Sequence, residues 1–361
     1  MQKALLLAGA FACLSLPAMA QQDRLHIYAW QDLFAPQILD DFTAATGLKT
    51  VYDSYDSDET LETRLLSGDT GYDFIVPSAS PFLMREIQAG ALEKLDKSLI
   101  PNYDKQIPAL LELLKKSDPT LEYAAIGGWG TTGLGYNLDK VKALLPDAPL
   151  DSYDLIFKPE NAAKLKDCGI AMVDSPTDIV PITLNYLGLN PETTDPDEIR
   201  QAMEVLAQIR PYVTLDKGRM MTDMANGDIC LAIGFSGDLI GARMRATEAG
   251  NGQHITYVIP KEGTLAWISA LAIPKNAPNP AAGNAFINHL LDPKQASVMS
   301  LTLGYANGVE GSRALLPPEM ANDPVMFPDD ATMQRLFTGS AENPKVTRLL
   351  NREWTRFRTA N

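Results

Sequence analysis

The sequence predicts an α/β fold in two lobes, and three observations carry that prediction. Short strand-like runs alternate with amphipathic helical runs, the pattern of a mostly parallel sheet with helices on its faces. The chain has 361 residues, which outgrows one hydrophobic core. No composition shift marks a flexible linker, which suits lobes joined by crossing strands rather than by a tether. With 45% hydrophobic and 21% charged residues, the chain is unlike a disordered segment.

Met1 to Ala20 reads as an export signal, with Lys3 as its basic start, Ala4 to Leu16 as its apolar core and Ala18-Met19-Ala20 as a small-x-small cleavage site. Past it, no apolar stretch approaches the ~20 residues of a membrane span. Leu25 to Trp30 then reads as a strand. Gln37 to Thr46 reads as a helix, because Ile38, Leu39, Phe42 and Ala45 recur at helical intervals before Gly47. Lys49 to Tyr55 is a second strand, Glu59 to Leu66 a second helix, Phe74 to Val76 a buried third strand and Phe82 to Ala89 a third helix. Ile170 to Val173 and Ile229 to Ile233 are strands, followed by helical runs to Leu187 and over Leu239 to Thr247. Ile255 to Ile259 and Trp267 to Ile273 look extended, Pro280 to Leu291 looks helical, and a helix near Val346 to Phe357 closes the chain. Sheets of this kind place ligand sites at the carboxyl ends of their strands.

A formal charge of −14 argues against nucleic acid, whose phosphates need a basic surface. Cys13 falls in the signal, and Ala10-Phe11-Ala12 before it matches a lipidation site poorly. Cys168 and Cys230 remain, either as one disulfide, the simplest outcome in an oxidising compartment, or as two buried thiols. A bridge would close about 60 residues and contribute roughly 4 kcal/mol in the chain-entropy model.

Several motifs fail. Gly128-Trp129-Gly130-Thr131-Thr132-Gly133 satisfies G-x-G-x-x-G, but Leu134-Gly135-Tyr136-Asn137 after it is too β-like to open the helix a dinucleotide requires, so a strand or hinge is expected. Gly234-Phe235-Ser236-Gly237-Asp238 lacks the last glycine of a serine nucleophile turn, and His26, His254 and His289 sit in no companion motif. No metal-ligand spacing appears, so no metal or cofactor is expected. Asp53, Asp56, Asp58 and Glu59 lack the glycine and terminal glutamate of a calcium loop and read as a solvated acidic edge.

Aromatic and acidic residues at strand-to-helix junctions remain. Trp30 and Asp32 end the first strand, Ser78 the third, and Asp178 follows Val173. Phe235 and Asp238 follow Ile233, Trp267 begins a later strand, and Tyr305 lies in Gly304-Tyr305-Ala306-Asn307. Rings and carboxylates together suit an alkylammonium. The rings cover methylenes and offer cation–π attraction of up to ~2 kcal/mol, and each carboxylate adds a charge-assisted hydrogen bond of about 1.5–3 kcal/mol. The same carboxylates could instead cap the helices they precede, and the rings could be core.

The stretches His26-Ile27-Tyr28-Ala29-Trp30-Gln31-Asp32, Val76-Pro77-Ser78-Ala79-Ser80, Thr131 to Asn137, Leu184-Asn185-Tyr186-Leu187-Gly188 and Asn226-Gly227-Asp228-Ile229-Cys230 resemble the periplasmic polyamine-binding proteins of ABC importers, most closely the putrescine/spermidine branch. The resemblance runs from about Leu25 to the final helix. It implies a type II periplasmic binding protein fold, with the ligand in a cleft between lobes joined by crossing strands, and a protein that is not an enzyme. The lobes expected are 21–134 with 257–312, and 135–256 with 313–361. The resemblance further implies a cationic amine ligand, an ABC permease as partner, a periplasmic location and pairing of Cys168 with Cys230. A monomer is expected.

Residue by residue, Trp30, Phe235, Trp267 and Tyr305 match the family's aromatic box, Asp32, Asp178 and Asp238 its acidic positions, and Ser78 a polar cleft position. Asp178 stands where relatives often carry glutamate. Gln31, Leu33 and Ser269 depart from a small hydroxyl residue, an aromatic residue and an amine-binding aspartate. With position 269 uncharged, one end of the cleft is expected not to demand a simple primary ammonium, pointing to a longer polyamine, agmatine or a related amine. Other readings are a different organic amine or amino-acid-like ligand, a sensor subunit, or a secreted hydrolase built on Ser236 or a carboxylate pair. Arg348, Arg352, Arg356 and Arg358 read as a solvated helix face or as a permease contact.

Overall fold

A computed structural model describes residues 23–68, 70–339 and 344–360, so the expected export segment and Cys13 lie outside the described residues. The first elements follow the sequence closely. Strand β1 (Arg24–Trp30) leads into helix α1 (Pro36–Thr46), which has proline in its first turn and ends at Gly47, whose φ of 77° is the left-handed cap conformation. Strand β2 (Lys49–Tyr55) leads into helix α2 (Asp58–Leu66), capped by Ser57, whose hydroxyl accepts from the Thr60 N–H. Strand β3 (Phe74–Ile75) is followed by a wide turn over Ala79–Leu83 and helix α3 (Met84–Gln88).

The remaining strands are β4 (Leu92–Glu93), β5 (Ala124–Asn137), β6 (Ile170–Met172), β7 (Thr214–Leu215), β8 (Leu231–Phe235), β9 (Ile255–Val258), β10 (Thr264–Pro274), β11 (Ala306–Asn307) and β12 (Leu336–Phe337). The sheet runs β2-β1-β3-β10-β5-β8-β6-β7. Both ends are parallel blocks, β2-β1-β3 and β8-β6-β7, while β10 is antiparallel to β3 and β5, and β5 to β8. Strands β5 and β10 therefore belong to both blocks. Ala272 near the end of β10 meets Ile75 of β3, and Leu265 near its start meets Thr132, from which β5 goes on to pair with β8. Two α/β lobes joined by crossing strands follow from this register.

The glycine-rich run lies inside β5, and its glycines serve close packing rather than phosphate. A Cβ on Gly130 would sit 2.3 Å from the Trp267 ring, and one on Gly133 2.5 Å from the Tyr257 hydroxyl. Apolar residues gather in three clusters rather than two. One holds Ile27, Phe42, Phe74 and Phe286 beside the first block, and another holds Tyr153, Phe157, Leu206 and Trp354 beside the second. The third joins Tyr55, Leu61 and Leu83 to Met220, Leu239 and Met326.

Cys168 and Cys230 form a disulfide, with Cα atoms 5.5 Å apart. Gly169 beside it has φ 87°, and a Cβ there would meet the Asp228 carbonyl at 2.7 Å. The bridge ties the approach to β6 to the residue before β8. Replacing both cysteines with alanine should lower the melting temperature by roughly 10 °C, because a 62-residue separation corresponds to about 4 kcal/mol of loop entropy; calorimetry of the oxidised protein against the double variant measures this.

Candidate functional site

Between the parallel blocks lies a cavity of about 560 Å³, within the range of small-molecule sites. Trp30, Gln31, Ser78, Asp178, Phe235, Trp267, Ser269 and Tyr305 all line it, as does Leu33. Asp32 and Asp238 are not among its lining residues. Asp32 has φ 56° and is exposed, so the chain leaves β1 in a left-handed turn that carries this side chain to solvent beside Gln31. Asp238 lies in the first turn of the helix Ser236–Ala249. The Tyr305 ring covers that turn, lying where a Cβ on Gly237 would fall 2.1 Å from it.

The aromatic residues are held by their neighbours. The Trp30 indole donates to the Val76 carbonyl at 3.1 Å, and its ring meets Tyr55 edge-on at 4.9 Å. The Tyr55 hydroxyl donates to the same carbonyl and the Tyr52 hydroxyl to the carbonyl of Trp30. On the other side, Phe235, Trp267 and Tyr305 form a chain of edge-on contacts, with centroids 6.3 and 4.9 Å apart. Such pairs fix ring orientation and leave faces available to a cation.

Asp178 is half-buried and accepts hydrogen bonds from the hydroxyls of Thr132, at 2.7 Å, and Ser175. Burial pushes its carboxyl up and the two hydroxyls pull it back, leaving it raised. None of the three predicted aspartates caps its helix: the caps are Ala35, Ser175 and Phe235. Ser236 is buried, and its hydroxyl accepts from the Thr131 N–H. His254 bonds to Asp139 and His289 to the Ile38 carbonyl.

The acidic stretch after β2 corrects the sequence expectation. Asp56, Asp58 and Glu59 line the cavity, and Asp58 is 7% exposed rather than solvated. Its Oδ1 accepts from the Ser78 N–H at 3.0 Å, and Ser78 pairs across the cleft floor with Ser269. Burial pushes the Asp58 carboxyl up to about 6, against the hydrogen bonds from Ser78. Glu86, on α3 behind it, is fully buried, and both of its carboxyl oxygens lack a hydrogen-bond partner among the described residues. Burial, then the charges of Asp58 and Glu62, push Glu86 up to about 8. The signal that could have found Asp58 is local. Ser57 already supplies the helix cap, so the acid beside it is free to turn inward.

A family model for bacterial extracellular solute-binding proteins matches residues 37–328. The putrescine-binding periplasmic protein SpuD of Pseudomonas aeruginosa is 44% identical over 99% of this chain and 97% of its own. The putrescine-binding periplasmic protein PotF of Escherichia coli is 42% identical over 98% and 96%. Among solved structures, the spermidine/putrescine transporter substrate-binding protein PotD of Streptococcus pneumoniae superposes with a TM-score of 0.80 at 25% identity, covering 93% of this chain and 98% of that one.

Glu86 holds its proton more tightly folded than unfolded, so folding takes up protons and stability falls as pH rises from about 4.5 toward about 8. Glu86→Gln is expected to raise the melting temperature at pH 8 by at least about 2 °C and to leave it nearly unchanged at pH 4. A pH series of thermal melts reads the difference, and a shift of equal size at every pH counts against this account.

Proposed function

This chain belongs to the bacterial extracellular solute-binding protein family, and within it we propose a periplasmic receptor that captures a polyamine or related cationic amine and delivers it to the permease of an ABC importer. The observation that carries this reading is the lining of the cleft. Trp30 on one side and the Phe235, Trp267 and Tyr305 rings on the other enclose an aliphatic chain, with carboxylates at Asp58 and Asp178. An ammonium leaving water needs such partners, because a buried unpaired charge is prohibitively costly. The relatives named for putrescine binding support the same ligand class. Members of this family bind and release solutes rather than transform them.

Closure is the working step. A ligand that touches both lobes stabilises the closed form through contacts the open form lacks. The lobe limits proposed, 134/135 and 256/257, fall in β5 and β9, which pair with each other from Leu134↔Val258 to Asn137↔Ile255. Motion between the lobes is then a bend of paired strands. The Ser80 hydroxyl donates to the Gly339 carbonyl at 2.6 Å, a bond that joins the two proposed lobes at the cleft mouth. The absence of an apolar helix long enough to span a membrane among the described residues fits a location outside the bilayer. We take the working unit to be a monomer with no role in nucleic-acid binding.

Titration calorimetry against putrescine, cadaverine, spermidine and agmatine, with zwitterionic γ-aminobutyrate, in which a carboxylate replaces one ammonium, as a control, tests the reading. Binding of at least one of the four amines, weakened tenfold or more by Asp178→Asn, is the expected result; absence of heat with all four overturns it. Spermidine or agmatine should bind more tightly than putrescine if the uncharged Ser269 relaxes one end of the site, and tightest binding to putrescine rejects that preference.

A further inference from the structure

The amine reading leaves open which group meets the ligand at the corner where Ser78 and Ser269 face each other. Resting on that reading, we propose that Asp58, with Glu86 behind it, is the anionic subsite that receives one alkylammonium of the ligand there.

Three observations converge on this corner. The first is that Asp58 is a cleft residue more than nine-tenths buried, yet its helix does not need it. Ser57 caps α2, while Asp58 reaches back to Ser78, twenty positions on in the chain, at 3.0 Å. A carboxylate offers about four acceptor sites, and no lysine or arginine forms an ion pair with Asp58 among the described residues. Arg85, the nearest guanidinium, is engaged bidentately by Glu62 at 2.7 and 2.8 Å.

The second is Glu86. Two carboxyl oxygens fully buried without a partner are rare, because an unsatisfied polar atom in the interior is destabilising. Glu86 faces Asp58 and Glu62, with Arg85 beside it on the same helix, and Tyr55 from β2 faces both carboxyls. A cation arriving at Asp58 adds a second positive neighbour to this orphaned group, whose other one, Arg85, is engaged by Glu62. The third is the Thr338 hydroxyl, buried, lining the same cavity and without a partner among the described residues. It stands next to Gly339, which the Ser80 hydroxyl contacts.

Proton linkage makes the subsite readable. An alkylammonium stays protonated through pH 5 to 8, as a lysine does, and it prefers Asp58 ionised. The groups facing Asp58 are Glu59 on its own helix, Tyr55, Ser78, Arg85 and Glu86. Since Asp58 is held up at about 6, affinity falls about tenfold as pH drops from 7.5 to 5, and binding near pH 6 releases protons. At pH 7 to 8 the same cation draws the proton from Glu86.

The test is calorimetry of the secreted full-length chain with putrescine and spermidine between pH 5 and 8, in buffers of different ionisation enthalpy. In the wild type, affinity rises with pH through about 6 and protons are released. Asp58→Asn keeps an oxygen for the Ser78 N–H but loses about tenfold or more at pH 7.5, with a flattened pH profile. Glu86→Gln loses the proton release at pH 7 to 8 and keeps the step near 6. Wild-type affinity that is flat across this range, or an Asp58→Asn variant that binds as well as wild type, overturns the subsite while amine capture stands. Proton release at pH 7 to 8 that persists in Glu86→Gln overturns the part given to Glu86. A wild type that binds neither of these amines overturns the subsite, and one that binds neither cadaverine nor agmatine as well overturns the function on which it rests.

Discussion

The antiparallel pairing of β5 with β10 is the constraint on which the rest of this structure depends. Among the described residues these two strands are the stretch of sheet that both parallel blocks share, from Ala272 beside β3 to Thr132 beside Phe235 of β8. Their register decides what faces the cleft. Trp267 lies opposite Gly130, Ser269 opposite Gly128, and the ladder shifts between Ser269 and Ala270. Glycine across from Trp267 leaves room for the indole, since any side chain at Gly130 would enter its ring. A shift of one residue in this pairing would turn Trp267 and Ser269 to the opposite face of the sheet. The strands that cross between the two parallel blocks are therefore also the floor of the cleft.

Electrostatics follow from how the carboxylates around this floor are satisfied. Asp178 is held by two hydroxyls and Asp58 by the N–H of Ser78. Neither has a cationic partner within the protein among the described residues, unlike Glu62 with Arg85 or Asp323 with Arg243. Neutral donors orient a carboxylate without cancelling its charge, so its field remains available to a cation from solution. A carboxylate neutralised by an internal arginine would have to break that pair before it could hold a ligand. The overall charge of −14 acts in the same direction at longer range, drawing cations toward the surface at low ionic strength.

Much of this was legible from periodicity. The helix Pro36–Thr46, the strand Lys49–Tyr55 and the helix Pro280–Leu290 lie within a residue or so of where apolar spacing and glycine or proline punctuation put them. The helix Pro196–Ile209 carries the same kind of signal, with Asp195 as cap, Pro196 in the first turn and Ile199, Ala202, Met203, Leu206 and Ile209 buried. The length of β5 was not legible, because glycines and threonines buried on both faces have no period. Nor was the third apolar cluster, since contacts such as those joining Leu61 to the surroundings of Met220 and Leu239 depend on how the lobes are set together. Trp30, Phe235 and Trp267 reach the cavity because they end or begin strands. Asp32 stands outside the cavity lining because a left-handed residue turns its side chain away from the face its neighbours share.

Asp58 shows why the acidic run after β2 could not be resolved by composition. Asp53 and Asp56 are exposed while Asp58 is buried, although all three lie within six positions. The change of periodicity separates them. In β2 residues two apart share a face, so Asp53 lies on the same side as Tyr55 and strand alternation alone does not tell the exposed acid from the buried ring; at Ser57 the chain becomes a helix, and the first helical residue is rotated toward Ser78. An acid placed one position earlier would occupy the cap, and one position later, as at Glu59, it is exposed at the rim of the cavity. Burial of a single carboxylate here is thus a consequence of where the strand gives way to the helix, and that boundary is held by the Ser57 cap.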